Sequence, residues 1–214
     1  MKIYYMSYKK HIVDTMKRLY NNKFISIRDG NVSFKPKGAD YFYISAGQVR
    51  KNEINTDQVI KVHFNQTNSL ATHHISDTYN LFYDTKYTYS PSREIYMHSH
   101  LQTLTSNYFS DTIVVHAHPP NMIAYAGLYD KSHELYNIKL TFPELNVGKI
   151  GLNVKYHEAG SKDLASNCFE NLNKHDIVAL ERHGSLSIGS DIDKIFEDIE
   201  TLEYYTGIEL NTRT

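Results

Sequence analysis

Two histidines one residue apart, at the end of an apolar run, are the first residues in this chain that could do chemistry. The run Thr112-Ile113-Val114-Val115 leads into His116-Ala117-His118, and Pro119-Pro120 follows. The β-branched run is typical of a buried strand, which the two prolines would end. Residues i and i+2 of a strand point to the same face, so both imidazoles are predicted to project together from one strand end. That geometry suits two ligands of one divalent metal.

A third histidine follows a second apolar run. The run Ile177-Val178-Ala179-Leu180 leads into Glu181-Arg182-His183-Gly184. A histidine at this strand end could complete a site of three imidazoles with an open fourth position, which is the arrangement of catalytic zinc. A His-x-His pair alone more often binds no metal, and another such pair, His98 and His100, falls on a predicted helix, where the side chains are ~200° apart. The metal prediction therefore depends on the two strand ends together.

The composition gives no sign of a nucleic-acid or membrane partner. The 214 residues carry a formal net charge of −1, with a sequence pI of about 6.9. Cys168 is the only cysteine, so an intrachain disulfide is impossible and a reducing compartment is expected. The N-terminus lacks the apolar core of a signal peptide, and no later run approaches the ~20 apolar residues of a membrane span. We expect a soluble, cytoplasmic protein with a single domain over residues 1–214.

Helices and strands alternate along the chain, with a group of strands early on. Hydrophobic spacing predicts a helix from about Ser7 to Asn22. Four strands separated by turns are predicted next, at 24–27, 31–34, 41–44 and 59–64. Residues 65–89 give no clear pattern. Ser92 is predicted to cap a helix that runs to about Asn107.

The second half of the chain is predicted to add further strands and helices around the histidines. Short helical segments are expected at 121–128, at 162–172 after Ser161, and from Asp191 to about Tyr205. Residues 130–149 are predicted to be loop around one short strand, and 154–156 another strand. Because the early strands form a meander, we expect an α/β fold in which helices flank a central, mainly antiparallel β-sheet.

The ordered set of motifs resembles the class II aldolase/adducin-head family, from about Ser7 to Ile208. Its most specific part is Val114-Val115-His116-Ala117-His118-Pro119-Pro120 together with His183-Gly184. The other segments are convincing through their order: Gly30-Asn31-Val32-Ser33, Tyr43-Ile44-Ser45-Ala46-Gly47-Gln48-Val49-Arg50-Lys51, Pro91-Ser92-Arg93-Glu94 with His98, Tyr156-His157-Glu158-Ala159-Gly160-Ser161, and Glu200 with Glu203. The family includes sugar-phosphate aldolases, a pentose-phosphate 4-epimerase, a thiosugar-phosphate dehydratase and adducins that lack the enzymatic role.

Carried over residue by residue, the resemblance implies a class II aldolase-like fold and a complete site. It implies Zn²⁺ held by His116, His118 and His183, and an acid/base carboxylate at Glu94. The positions where the family binds substrate phosphate are Asn31, the Ala46-Gly47-Gln48 turn, Ser92 and Arg93. The aldolases complete their site with a tyrosine from a neighbouring subunit, and Tyr136 lies near that position. The resemblance also implies a homotetramer.

The chain departs from the family pattern at two places. The family usually shows Thr-Pro-Ser-Gly or similar in the turn, where this chain has Ser45-Ala46-Gly47-Gln48. Matched without a gap, the hydroxyl falls on Gly47 and the usual glycine becomes Gln48, whereas a shift by one restores Gly47 but displaces Lys51. Arg93 stands where a second serine is common, and its guanidinium either grips an anion or forms a surface ion pair.

Purely structural roles are open for three of these residues. Asn31 follows Asp29-Gly30 and is also typical of a turn. Ser92 is typical of a helix cap, and Glu94 of a first helical turn, where a carboxylate meets the positive end of the helix dipole.

We expect a zinc-dependent aldolase, a lyase that cleaves or forms a C–C bond in a small ketose phosphate through a metal-stabilised enediolate. The alternative is a sugar-phosphate 4-epimerase or dehydratase on the same zinc site. A non-catalytic adducin-like interaction module is disfavoured because the three histidines and Glu94 are all present. The expected partners are a small sugar-phosphate substrate and further copies of the chain, with no nucleic acid and no membrane.

Overall fold

A central β-sheet organises the molecule. The structure is a computed structural model that describes residues 2–64, 72–76, 81–84, 86, 88–104, 110–127 and 133–212. The strands within these ranges are β1 Asn31–Lys35, β2 Tyr41–Ser45, β3 Val59–His63, β4 Thr72–Ser76, β5 Leu81–Asp84, β6 Thr112–Ala117, β7 Ile177–Leu180 and β8 Gly184–Gly189. These eight strands are ordered β4-β5-β3-β2-β1-β6-β8-β7, and each neighbouring pair is antiparallel.

Helices cover both faces of the sheet. The α-helices of the described ranges are α1 Lys2–Asn21, α2 Ile95–Leu101, α3 Pro120–Ala126, α4 Tyr136–Thr141, α5 Lys162–Leu172 and α6 Ile192–Thr212. Because side chains alternate along a strand, β6 contributes to two cores. Ile113 and Val115 pack in one core with apolar residues of α1, α3 and α6, whereas Val114 packs in the other with residues of α2 and α5.

The fold class predicted from the sequence is confirmed. The sheet is antiparallel and flanked by helices, and the predicted strands at 31–34, 41–44, 59–64 and 112–115 correspond to β1, β2, β3 and β6. The Ser161 hydroxyl accepts a hydrogen bond from the Leu164 N–H at 3.1 Å, so it caps α5 as predicted. Asp191 does the same for α6, since its Oδ1 accepts from the Asp193 N–H at 2.9 Å. Among the described helices, none is long and apolar enough to cross a membrane.

The predicted strand at 24–27 is wrong, because these residues form a loop that closes α1. Lys23 takes a left-handed conformation (φ 62°), and the Phe24 N–H donates to the Leu19 carbonyl at 2.9 Å. Phe24 is buried and packs on Phe196 of α6, with ring centroids 5.5 Å apart. Its carbonyl accepts from the His118 N–H at 2.7 Å. The apolar residues at 24–27 are therefore explained by the burial of Phe24 at the end of α1 and against α6, and not by pairing in the sheet.

Three other local predictions also need correction, and one strand was not predicted. The helix predicted from Ser92 begins only at Ile95 and ends at Leu101, and residues 105–109 of its predicted span lie outside the described ranges. Residues 136–141 form α4, where loop around a short strand was expected, and the predicted strand at 154–156 is a single bridge between Val154 and Leu180. No prediction covers β8, which is rich in glycine and serine. The helix expected at 121–128 is α3, and residue 128 is not described.

Candidate functional site

The sheet brings three histidines together at the end of strand β6. His116 lies in β6, His118 follows it before α3, and His183 lies in the turn between β7 and β8. Since β6 pairs with β8, the turn that carries His183 lies beside the end of β6. One ligand atom from each of the three imidazoles lies within 4.8 Å of the other two. Gly184 permits this approach, because a Cβ there would lie 2.2 Å from the Ala117 carbonyl oxygen.

The surroundings of His116 and His118 favour neutral imidazoles, which is the form that binds metal. His116 is fully buried, and its Nδ1–H donates to the Ser185 carbonyl at 2.9 Å, which leaves Nε2 to face His118 Nε2 at 2.9 Å. Burial lowers the pKa of His116. Burial, reinforced by His116 and His183, lowers the pKa of His118 to about 3. Because only unprotonated imidazole binds a metal, and a bond to a backbone carbonyl is the usual way to orient a ligand histidine, this donor set fits a divalent ion.

Glu94 faces the histidines from the start of α2. Its Oε2 lies 3.2 Å from His116 Nε2 and accepts a hydrogen bond from Asn31 Nδ2 at 2.8 Å. Its Oε1 lies 3.2 Å from His183 Nε2, and this buried oxygen has no hydrogen-bond partner among the described residues. Burial works to raise the pKa of Glu94, but His116, His183 and Asn31 prevail and hold that pKa below its usual range. An ionised carboxylate beside a candidate metal centre can move protons.

A cleft of about 730 Å³ opens beside the histidines. Most of the site residues predicted from the sequence line it: Asn31, Gly47, Gln48, Ser92, Arg93, Glu94, His118 and His183. His116 lies behind the cleft wall, fully buried. Tyr136 begins α4 and is not among the described residues that line the cleft. The roles predicted for these residues stay predictions, but eight of them meet at one surface.

The backbone of the 46–48 turn favours the gap-free match to the family pattern. Gln48 has a φ of 58°, a left-handed conformation that favours glycine, and it occupies the position where the family usually has glycine. Gly47 packs closely against the chain that leads to α2, since a Cβ there would lie 3.2 Å from the Pro91 carbonyl oxygen. The hydroxyl of the family pattern is therefore missing at Gly47.

Ser92 and Arg93 have partners within the chain. The Ser92 hydroxyl accepts from the Glu94 N–H at 3.3 Å, which is a local turn and not the predicted cap of a longer helix. Arg93 is exposed, and its Nη2 donates to the Ala159 carbonyl at 2.8 Å. One nitrogen of the guanidinium is thus held by the backbone. The alternative considered for Arg93, a surface ion pair with a carboxylate, is not present among the described residues.

Lys51 is a cleft residue that was not predicted from the sequence. Lys51 is buried, its Nζ donates to the Ala46 carbonyl at 2.8 Å, and it lines the cleft. Burial, opposed in part by Asp29, lowers the pKa of Lys51 to about 8. Asp29 also lines the cleft, with Oδ2 3.8 Å from His118 Nδ1. The only sign of a role in the sequence is that Lys51 ends a segment that matches the family pattern. The burial of a lysine cannot be predicted from the residues around it.

Comparisons with known proteins identify the family and agree with the fold. The model of the family described as Class II Aldolase and Adducin N-terminal domain matches residues 10–210. Among solved structures, an L-fuculose 1-phosphate aldolase has a TM-score of 0.70 at 20% identity, covering 97% of this chain and 86% of the other. A sugar-phosphate aldolase from Thermotoga maritima has 0.71 at 18% identity, covering 96% and 94%. An L-fuculose-1-phosphate aldolase from Thermus thermophilus has 0.64 at 19% identity, covering 94% and 92%. No curated protein matches the sequence significantly.

Proposed function

The chain belongs to the class II aldolase and adducin N-terminal domain family, and from this premise we propose that it is a zinc-dependent aldolase acting on a small ketose phosphate. The observation that carries the proposal is the cluster of three imidazoles with Glu94 3.2 Å from two of them. The sugar-phosphate aldolases among the similar structures support the substrate class. A purely structural relative of the adducins would have no need to keep an ionised carboxylate buried beside three histidines.

His116, His118 and His183 would hold the ion. When bound, zinc supplies a Lewis acid that withdraws electrons from a substrate carbonyl. Glu94 takes up and returns the proton that is exchanged when the C–C bond breaks or forms, because it is ionised and has one buried oxygen that no described residue hydrogen-bonds. Burial of the carboxylate and of His116 keeps bulk water away from the reacting atoms.

The anionic end of the substrate is proposed to bind where the 46–48 turn approaches Arg93. Both line the cleft with Glu94, and Arg93 supplies the positive charge where the turn lacks a hydroxyl donor. Tyr136, which does not line its own chain's cleft, is proposed to complete the site of a neighbouring subunit in a homotetramer. A cytoplasmic location belongs to the same proposal, in keeping with a single buried, free cysteine.

The function is tested by product analysis. Zinc-loaded protein is incubated with L-fuculose 1-phosphate and other ketose 1-phosphates, and release of dihydroxyacetone phosphate is followed through coupled NADH oxidation. We expect release that stops when a chelator removes the metal. Conversion to an isomeric or dehydrated sugar phosphate, detected by NMR without cleavage, would replace the aldolase with the epimerase or dehydratase alternative. No conversion of any sugar phosphate would contradict enzymatic function.

Replacing Arg93 by alanine is expected to raise the KM for a phosphorylated sugar by about 10- to 100-fold, because a charge-assisted hydrogen bond contributes about 1.5–3 kcal/mol. Arg93→Lys should recover only part of the loss, since lysine keeps the charge but not the planar fork. Arg50→Ala is the matched control, because Arg50 is exposed, pairs with Glu53 and does not line the cleft. An equal change for the phosphorylated sugar and its unphosphorylated analogue would show that Arg93 does not read the anion.

A further inference from the structure

A row of buried polar side chains leads inward from Glu94 and Asn31, which line the cleft, to Ser33, His98 and Gln102, which do not line it. Two of them, Asn31 and Ser33, are two residues apart on β1 and so lie on one face of the strand. His98 and Gln102 follow Glu94 at intervals of four, which places the three side chains on one side of α2. All five residues are buried, with exposures between 0% and 7%. The strand face and the helix side therefore form two facing rows of polar groups.

These groups make a continuous chain of hydrogen bonds. Gln102 Nε2 lies 2.9 Å from Ser33 Oγ, and Ser33 Oγ lies 2.7 Å from His98 Nδ1. His98 Nε2 contacts Asn31 Oδ1, and Asn31 Nδ2 lies 2.8 Å from Glu94 Oε2. The chain thus links the C-terminal end of α2 to the carboxylate in the candidate active site.

Donor and acceptor chemistry fixes one direction for the chain. An ionised Glu94 only accepts hydrogen bonds, so the amide nitrogen of Asn31 must face it, and the amide oxygen must face His98. That oxygen only accepts, so His98 carries its proton on Nε2. Because burial lowers the pKa of His98 to about 3, the ring is neutral and Nδ1 accepts from the Ser33 hydroxyl. Ser33 in turn accepts from Gln102, and each donor therefore points toward Glu94.

We propose that His98 is a positioning residue that orients Glu94 through Asn31. Hydrogen bonds that run in one direction polarise one another, so the buried hydrogen-bond chain fixes Oε2, which also lies beside His116, and leaves Oε1 to face His183. The inference rests on the proposed function in one respect, namely that Glu94 moves the proton. It also bears on Asn31: with Oδ1 and one N–H committed to the chain, only one N–H of its amide remains for a substrate.

Kinetics of matched histidine variants test the proposal. His98→Phe fills the space of the ring but donates nothing to Asn31. It should lower kcat by about 10- to 100-fold, the loss typical of removing a supporting hydrogen bond behind a metal site, with KM and zinc content nearly unchanged. His98→Gln should recover most of kcat, because its amide N–H can donate to Asn31. His100→Phe is the matched control on the same helix. It should leave kcat within about twofold, because His100 is not a member of the hydrogen-bond chain that leads to Glu94.

Equal kcat values for the His98→Phe and His100→Phe variants would overturn the proposal, as would a failure of glutamine to recover activity. If the phenylalanine variant does not fold, Ser33→Ala removes only the hydroxyl that donates to His98, and kcat should still fall by about fivefold. Nitrogen-15 NMR of histidine-labelled protein gives a readout that needs no substrate. We expect His98 to be protonated on Nε2 and bare on Nδ1. The opposite tautomer would refute the proposed hydrogen-bond chain even in an active aldolase. An inactive protein with the expected tautomer would refute only the proposed function.

Discussion

Replacing Glu94 by glutamine is expected to lower kcat by about 100-fold or more, which is the contribution typical of a positioned general acid or base. The amide has nearly the same shape as the carboxylate, so it should remain buried beside His116 and His183. The amide cannot take up a proton. Its –NH2 group would also replace one of the two carboxylate oxygens, so that a donor would face groups that now face an acceptor. The effect should therefore fall on kcat, measured on zinc-loaded protein, and not on zinc content.

Glu197→Gln serves as the control for this variant, because Glu197 is exposed on α6 and is not among the described residues that line the cleft. Its kcat should equal that of the wild-type protein. Unchanged turnover in the Glu94 variant on a verified substrate would leave Glu94 with only a structural role at the start of α2, where a carboxylate meets the positive end of the helix dipole.

The cluster of histidines could be predicted from the sequence because its geometry follows from local rules. The two-residue period of a strand places His116 and His118 together, and prolines mark where the strand ends. The prediction that His183 joins the other two histidines required the hypothesis that two strand ends meet. The family resemblance supported that hypothesis. The structure gives the physical reason: β6 pairs with β8, so the turn carrying His183 must lie beside the end of β6.

The hydrogen-bond chain behind the three histidines could not be predicted, because it depends on pairings between distant segments. Asn31 pairs with His116 across β1 and β6, and this register turns its amide toward Glu94 instead of leaving it in a turn. The spacing of Glu94, His98 and Gln102 is visible in the sequence, but only the packing of α2 on β1 shows that it faces buried partners. Strand β8 was not predicted for a related reason. Its serines are buried, but a hydrophobic pattern cannot identify buried polar residues.

His118→Ala is expected to lose most of the bound zinc and to lower kcat/KM by at least about 1000-fold. A bound metal contributes several kcal/mol of transition-state stabilisation, and each ~1.4 kcal/mol is a factor of ten. His118 suits this test because its side chain is 24% exposed, so the truncation leaves no buried cavity as large as the one at His116 would be. His11→Ala is the matched control, since His11 is exposed on α1.

The zinc content of purified protein tests the central claim most directly. Elemental analysis of the wild-type chain, of the His11→Ala control and of the variant with alanine at positions 116, 118 and 183 should be run side by side, with circular dichroism to verify the fold. The wild-type and control proteins should contain about one zinc ion per chain, and the triple variant essentially none. Stoichiometric zinc in a folded triple variant would contradict the assignment of the three histidines and, with it, the mechanism built on them.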